Sequence, residues 1–176
     1  MISSEQSIWA KLDNIARSAL PLLITIIAIF LGIIPLHLDN AEAIKPMFVL
    51  ACVYYWTIYR PDLFPLLLVF VLGVFQDLLQ DAPVGISSFV YLIISFLVGT
   101  QRRFFHGKTF GIVWWGFMIC AVLAVMLSWL VFCMIAQSLL SPEPFVFRYL
   151  MSIAGFPIAF VVLVLSHKLI PPRGQS

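Results

Sequence analysis

Residues 109–140 read TFGIVWWGFMICAVLAVMLSWLVFCMIAQSLL, without one charged side chain. A helix crosses the roughly 30 Å hydrocarbon layer of a bilayer with about 20 mostly apolar residues, so such a run belongs in lipid or inside a large core. The remainder of this chain cannot supply a water-soluble shell for that core. Of 176 residues, 62% are hydrophobic and only 10% are charged, and the mean hydropathy is +1.08. Soluble domains run at about 45–50% apolar and about 25% charged. The sequence therefore reads as a polytopic membrane protein.

Further apolar runs cover residues 19–38, 44–59, 62–81, 84–100 and 145–170. Together with 109–140 they predict an all-α fold, a bundle of six transmembrane helices. A single domain then spans residues 19–170, between tails at 1–18 and 171–176. The 44–59 segment is short for a crossing, with Pro46 in its first turn. The 109–140 segment is longer than needed and should tilt or protrude. Pro157, two residues after Gly155, should kink or break the last helix. The first run lacks a small-residue cleavage site and reads as a retained helix. In the tail before it, Ile8, Leu12, Ile15 and Ala19 recur at helical spacing, apart from Lys11, Asn14 and Arg17. That pattern suggests a short surface helix with Trp9 at headgroup level.

Six spans put both termini on one side. If that side is the cytoplasm, Lys11, Arg17, Arg60, Arg102, Arg103, Lys108, Lys168 and Arg173 lie inside, and only Lys45 and Arg148 lie outside. Cytoplasmic loops carry the Lys/Arg excess, so the expected topology is N-in, C-in. The basic residues form no continuous patch, which argues against nucleic acid as a partner.

One stretch conflicts with the apolar background. LGVFQDLLQDAPVG, residues 72–85, holds two carboxylates and two carboxamides. On one helix Gly73, Asp77 and Asp81 share a face, with Gln80 beside it and Gln76 one turn before Gln80. Gly73 would let a second helix approach beneath the polar cluster. Asp77 is about 6 Å from Asp81 at helical rise, close enough to the outer edge for water to reach it. Pro83 suits the first turn of the next helix, and Asp81 is the expected cap for that helix's N-terminus. Two roles stay open for Asp77. It could face a pocket or partner on the outside with Gln76 and Gln80, or it could form an interhelical hydrogen bond that fixes the bundle, to Ser87 or Ser88 on the next helix.

The remaining polar features carry less chemistry. TQRRFFHGKT, residues 100–109, offers Arg102, Arg103 and Lys108 to acidic lipid headgroups or a cytoplasmic partner, and equally serves as the main topology signal. Cys52, Cys120 and Cys133 sit in apolar runs with no CxxC spacing, so neither a disulfide nor a metal site is expected. His37, His106 and His167 are scattered over both membrane faces and cannot share one metal. Tyr55, Trp56, Trp114, Trp115 and Trp129 suit interface belts or helix packing. No nucleotide loop or catalytic triad spacing is present, so no enzyme and no cofactor is expected.

From YYWTIYRPDLFPLLLVFVLGVFQDLLQDAPVG onward the chain resembles the MreD family of bacterial rod shape-determining proteins. The resemblance runs over roughly residues 48–170. It is carried by an aromatic helix ending in a Tyr-Arg-Pro turn, an apolar helix ending in Gly-x-x-x-Asp-x-Leu, and a Pro-x-Gly turn. Here these are Trp56, Arg60, Pro61, Gly73, Asp77, Leu78, Pro83 and Gly85. Gln80-Asp81-Ala82 departs from the small residues many members place before the Pro. The resemblance implies an inner-membrane scaffold of cell elongation, surrounded by membrane lipid. It implies binding to MreC and links from MreB to the peptidoglycan polymerase RodA and its transpeptidase. It also implies a bundle similar to the substrate-binding subunits of energy-coupling-factor transporters. Six helices and an outward-facing polar cluster around Asp77 keep a second reading open, a vitamin-like ligand-binding subunit, in which Ala28 and Gly32 are the nearest thing to a small-residue surface for a coupling partner.

Overall fold

A computed structural model of the chain describes residues 19–32, 46–105 and 107–168. Among these there are six helices and no strand: α1 Leu20–Leu31, α2 Phe48–Tyr59, α3 Leu66–Leu79, α4 Ile86–Phe105, α5 Phe110–Ala136 and α6 Glu143–His167. The expected surface helix before residue 19, His37, Lys45, His106 and Arg173 lie outside the described residues.

Each apolar run contains one helix, but the helices differ in reach. Only α5 and α6 have both the length and the composition to cross a membrane. Helices α1, α2 and α3 have 12, 12 and 14 residues, or about 18–21 Å at 1.5 Å per residue.

Two prolines act differently from the sequence reading. The third segment was expected to be helical from residue 62, yet α3 begins at Leu66, after Pro65 in extended conformation (ψ 155°). Proline disfavours helical backbone in the residue before it, so Pro61 and Pro65 hold the intervening residues in turns. Arg60 and Asp62 pair across that turn at 3.3 Å, and the Leu63 N–H donates to the Arg60 carbonyl. In contrast, Pro157 does not break its helix, since α6 is continuous from Glu143 to His167. A proline costs a helix one backbone hydrogen bond, and within a helical bundle packing against neighbours tolerates that loss. Here Gly155 provides such packing: a Cβ at that position would lie 3.1 Å from the Phe48 ring.

Helix α2 occupies the centre, packed by α1, α4 and α6 and touched by α5, while α3 lies on the far side of α4. Its sequence FVLACVYYWTIY has no polar stripe, and a helix apolar all round belongs in an interior. Every residue from Val49 to Ile58 is buried. The Tyr54 hydroxyl donates to the Val113 carbonyl at 3.0 Å, and its ring meets Phe105, Phe117 and Phe156 edge-on. Gly116 of α5 leaves the room these rings need, because a Cβ there would collide with the Tyr54 hydroxyl and the Phe105 ring. At the start of α2, the Met47 N–H donates to Ser152 Oγ at 2.8 Å, and that hydroxyl donates to the Arg148 carbonyl.

The periphery is apolar too. On α5, Trp115, Ile119, Met126, Leu130 and Met134 form an exposed stripe at helical spacing. An apolar surface of this extent suits lipid or a partner helix.

Candidate functional site

The polar cluster forms where α3 ends and α4 begins. Gly73 permits it: a Cβ on Gly73 would lie 2.5 Å from Ser88 Cα, so only glycine allows this approach of the two helices. Ser88 also donates its hydroxyl to the Phe70 carbonyl at 2.9 Å. This close packing brings the last turn of α3 against the first turn of α4.

One turn along, Asp77 is 1% exposed. Its Oδ2 accepts the Gly85 N–H at 2.8 Å, and both carboxylate oxygens lie 3.1–3.2 Å from the Ser87 nitrogen. The carboxylate thus takes the orphan amides at the start of α4, where the helix dipole also favours negative charge. Asp81 was expected in this role. The structure corrects that expectation: Asp81 is exposed and adopts a left-handed backbone, φ 51°, as part of the turn. Gly85 has φ 105°, which needs glycine and aims its N–H at Asp77. Pro83 is exposed in the turn before α4.

The carboxamides divide. Gln76 is buried and its Oε1 accepts the Tyr91 hydroxyl of α4 at 2.7 Å. Gln80 is half-buried and lies at the end of α1, where a Cβ on Gly32 would come 3.3 Å from Gln80 Nε2.

Asp77, Gln80, Tyr91, Ser128 and Arg148 line a small cavity of about 30 Å³, room for about one or two waters. The sequence places Arg148 only among the basic residues expected outside. It reaches this cavity from α6, and its buried Nε has no hydrogen-bond partner among the described residues. A lone cation a turn and a half into an apolar helix was the available signal. Tyr91 and Ser128 carried none, because only the fold brings α4, α5 and α6 to the end of α3. The cluster is a cap, a hydrogen-bonded pair and a buried cation around a space too small for an organic substrate.

The basic loop is separate. Arg102 and Arg103 are exposed in the last turn of α4, and exposed Lys108 places Nζ 5.6 Å from the centre of the Phe104 ring. The cysteines are free, and among the described residues no three His, Cys, Asp or Glu side chains come together.

The family model described as rod shape-determining protein MreD matches residues 13–169. No curated protein matches the chain, and no solved structure matches it.

Proposed function

Because the chain belongs to the MreD family of rod shape-determining proteins, we propose that it is a non-enzymatic inner-membrane component of the bacterial elongation machinery. Membership itself implies a role in rod shape determination. In this reading the six helices are six spans with both termini in the cytoplasm, arranged as in energy-coupling-factor substrate-binding subunits. The protein binds MreC and links MreB to RodA and its transpeptidase. The observation that carries the proposal is the family match, which extends over residues 13–169 of 176.

Within that reading, the contact surface for MreC includes the exposed side of the α3–α4 turn, Asp81, Pro83 and Val84. Gly73, Gln76, Asp77 and Gly85 shape that turn from within, and Gln80 lies at its border. The vitamin-binding alternative has less support. It rests on the polar cluster at Asp77, and the cavity there has about 30 Å³, against about 300–1,000 Å³ for ligand pockets. Ala28, the start of the small-residue pattern on α1, is buried inside the bundle and offers no outer surface to a coupling partner.

Affinity purification from native membranes tests the proposal. MreC is expected to co-purify, with Asp81 and Val84 cross-linking to it. Loss of MreC under conditions that recover another elongation partner would count against it.

A further inference from the structure

The end of the bundle opposite the Asp77 cluster holds a larger groove, about 340 Å³, between the C-terminal end of α2, the start of α3 and the second half of α4. Its lining includes Thr57, Phe64, Pro65, Ser95, Phe96 and Gly99. Thr57 and Ser95 are 7% and 3% exposed, and neither hydroxyl has a hydrogen-bond partner among the described residues. Other hydroxyls among the described residues behave differently. Thr25, Thr100, Ser128 and Ser166 each donate to a carbonyl of the preceding turn, the ordinary refuge of a helical hydroxyl in an apolar setting. A buried hydroxyl left without a partner is costly. Two of them line one groove, where an occupant that brings acceptors would relieve that cost.

The charges nearby limit what the occupant is. Thr57 lies three residues, about 4.5 Å of helical rise, from Arg60, and Ser95 lies seven residues, about 10 Å, from Arg102. Arg60 is engaged by Asp62, whereas Arg102 and Arg103 are exposed in the last turn of α4, three and four residues beyond Gly99. Apolar walls, two donors just inside them and cations one helical turn beyond match a phospholipid: an acyl chain, then ester carbonyls, then an anionic headgroup. We infer that this groove is a binding site for an anionic phospholipid. One chain lies against Phe96 and Gly99, the Thr57 and Ser95 hydroxyls donate to the ester carbonyls, and Arg102 and Arg103 hold the phosphate. The inference requires a membrane-embedded chain but is independent of MreC binding.

Native mass spectrometry of the full-length protein released from nanodiscs tests it, with phosphatidylglycerol and phosphatidylcholine as probes. Phosphatidylglycerol should be retained over phosphatidylcholine at least threefold. The pair Arg102→Gln and Arg103→Gln should erase that preference. Thr57→Val and Ser95→Ala, which keep side-chain volume nearly constant, should each lower retention of both lipids about threefold, the scale of an intramembrane hydrogen bond. At Gly99 a Cβ would sit 3.9 Å from the Thr57 methyl, so Gly99→Leu should fill the groove and abolish retention. If that variant does not fold, the two hydroxyl variants decide. Equal retention of the two lipids by the unaltered protein, or unchanged retention in the hydroxyl variants, overturns the inference. A photoreactive residue at position 96 should label lipid in native membranes, and labelling of a polypeptide instead would overturn it as well.

Discussion

The backbone of Ser88 lies directly over Gly73, leaving no room for a Cβ between them. The Asp77 cap and the Gln76–Tyr91 hydrogen bond, both between α3 and α4, depend on that approach. Gly73→Ala should therefore act well beyond its single methyl group, because the obstacle is backbone and cannot rotate away. A destabilisation of about 1–3 kcal/mol or more is expected from such overpacking. Thermal unfolding in detergent would measure it, and Gly99→Ala, which meets only ordinary contact, serves as the tolerated control.

The exchange of roles between Asp77 and Asp81 gives a paired prediction. Asp77→Ala leaves the Gly85 and Ser87 amides without their acceptor and should cost about 1–2 kcal/mol, the usual loss for a removed helix cap. Asp77→Asn keeps one acceptor oxygen and should fall between Ala and the native residue, with rod shape retained at normal protein level. Asp81→Gly should be neutral or slightly stabilising, since glycine accepts the left-handed backbone more readily. Unfolding curves of the three variants check the order. A larger loss from Asp81→Gly than from Asp77→Ala would restore Asp81 as the cap.

Tyr91 and Gln76 should behave as a coupled pair. Tyr91→Phe strands the Gln76 carbonyl, and Gln76→Leu strands the Tyr91 hydroxyl. The double variant strands neither, so its cost should be less than the sum of the single costs. The coupling expected is about 0.6 kcal/mol and at most about 1.7 kcal/mol, the range measured between membrane helices. A double-mutant cycle on detergent unfolding would read it.

Gly116 predicts a compensation. Gly116→Ala drives a methyl group into the Tyr54 hydroxyl and the Phe105 ring and should destabilise by about 1–3 kcal/mol. Tyr54→Phe removes the hydroxyl, together with its hydrogen bond to Val113, and alone should cost about 1 kcal/mol. Joined with Gly116→Ala it should recover part of the loss. Comparing melting temperatures of the two single variants and the double variant would check this.

The six helices were legible because apolar runs and prolines are local signals. Their ends were less so. Pro65 delays α3 and Pro157 leaves α6 intact, and the two prolines differ only in what surrounds them. The close approach at Gly73 could be anticipated from its place on the polar face. The assignment of the cap could not, since Asp77 reaches residues eight and ten positions onward only because α4 packs so tightly on α3. Arg148 was invisible as a neighbour of Asp77 for the same reason: their sequence separation is long, and the bundle alone brings them to one cavity. The interior position of α2 is written in its missing polar face, although a short apolar run serves an edge helix equally well until its neighbours are known.

The burial of α2 has a consequence for synthesis. Its flanks are completed by α4, α5 and α6, which the ribosome makes later. At roughly 5–20 residues per second, the interval from Tyr59 to His167 lasts on the order of ten seconds. During that time the faces of α2 that pack against later helices wait for their neighbours. A nascent chain halted before α6 therefore leaves one face of α2 uncovered.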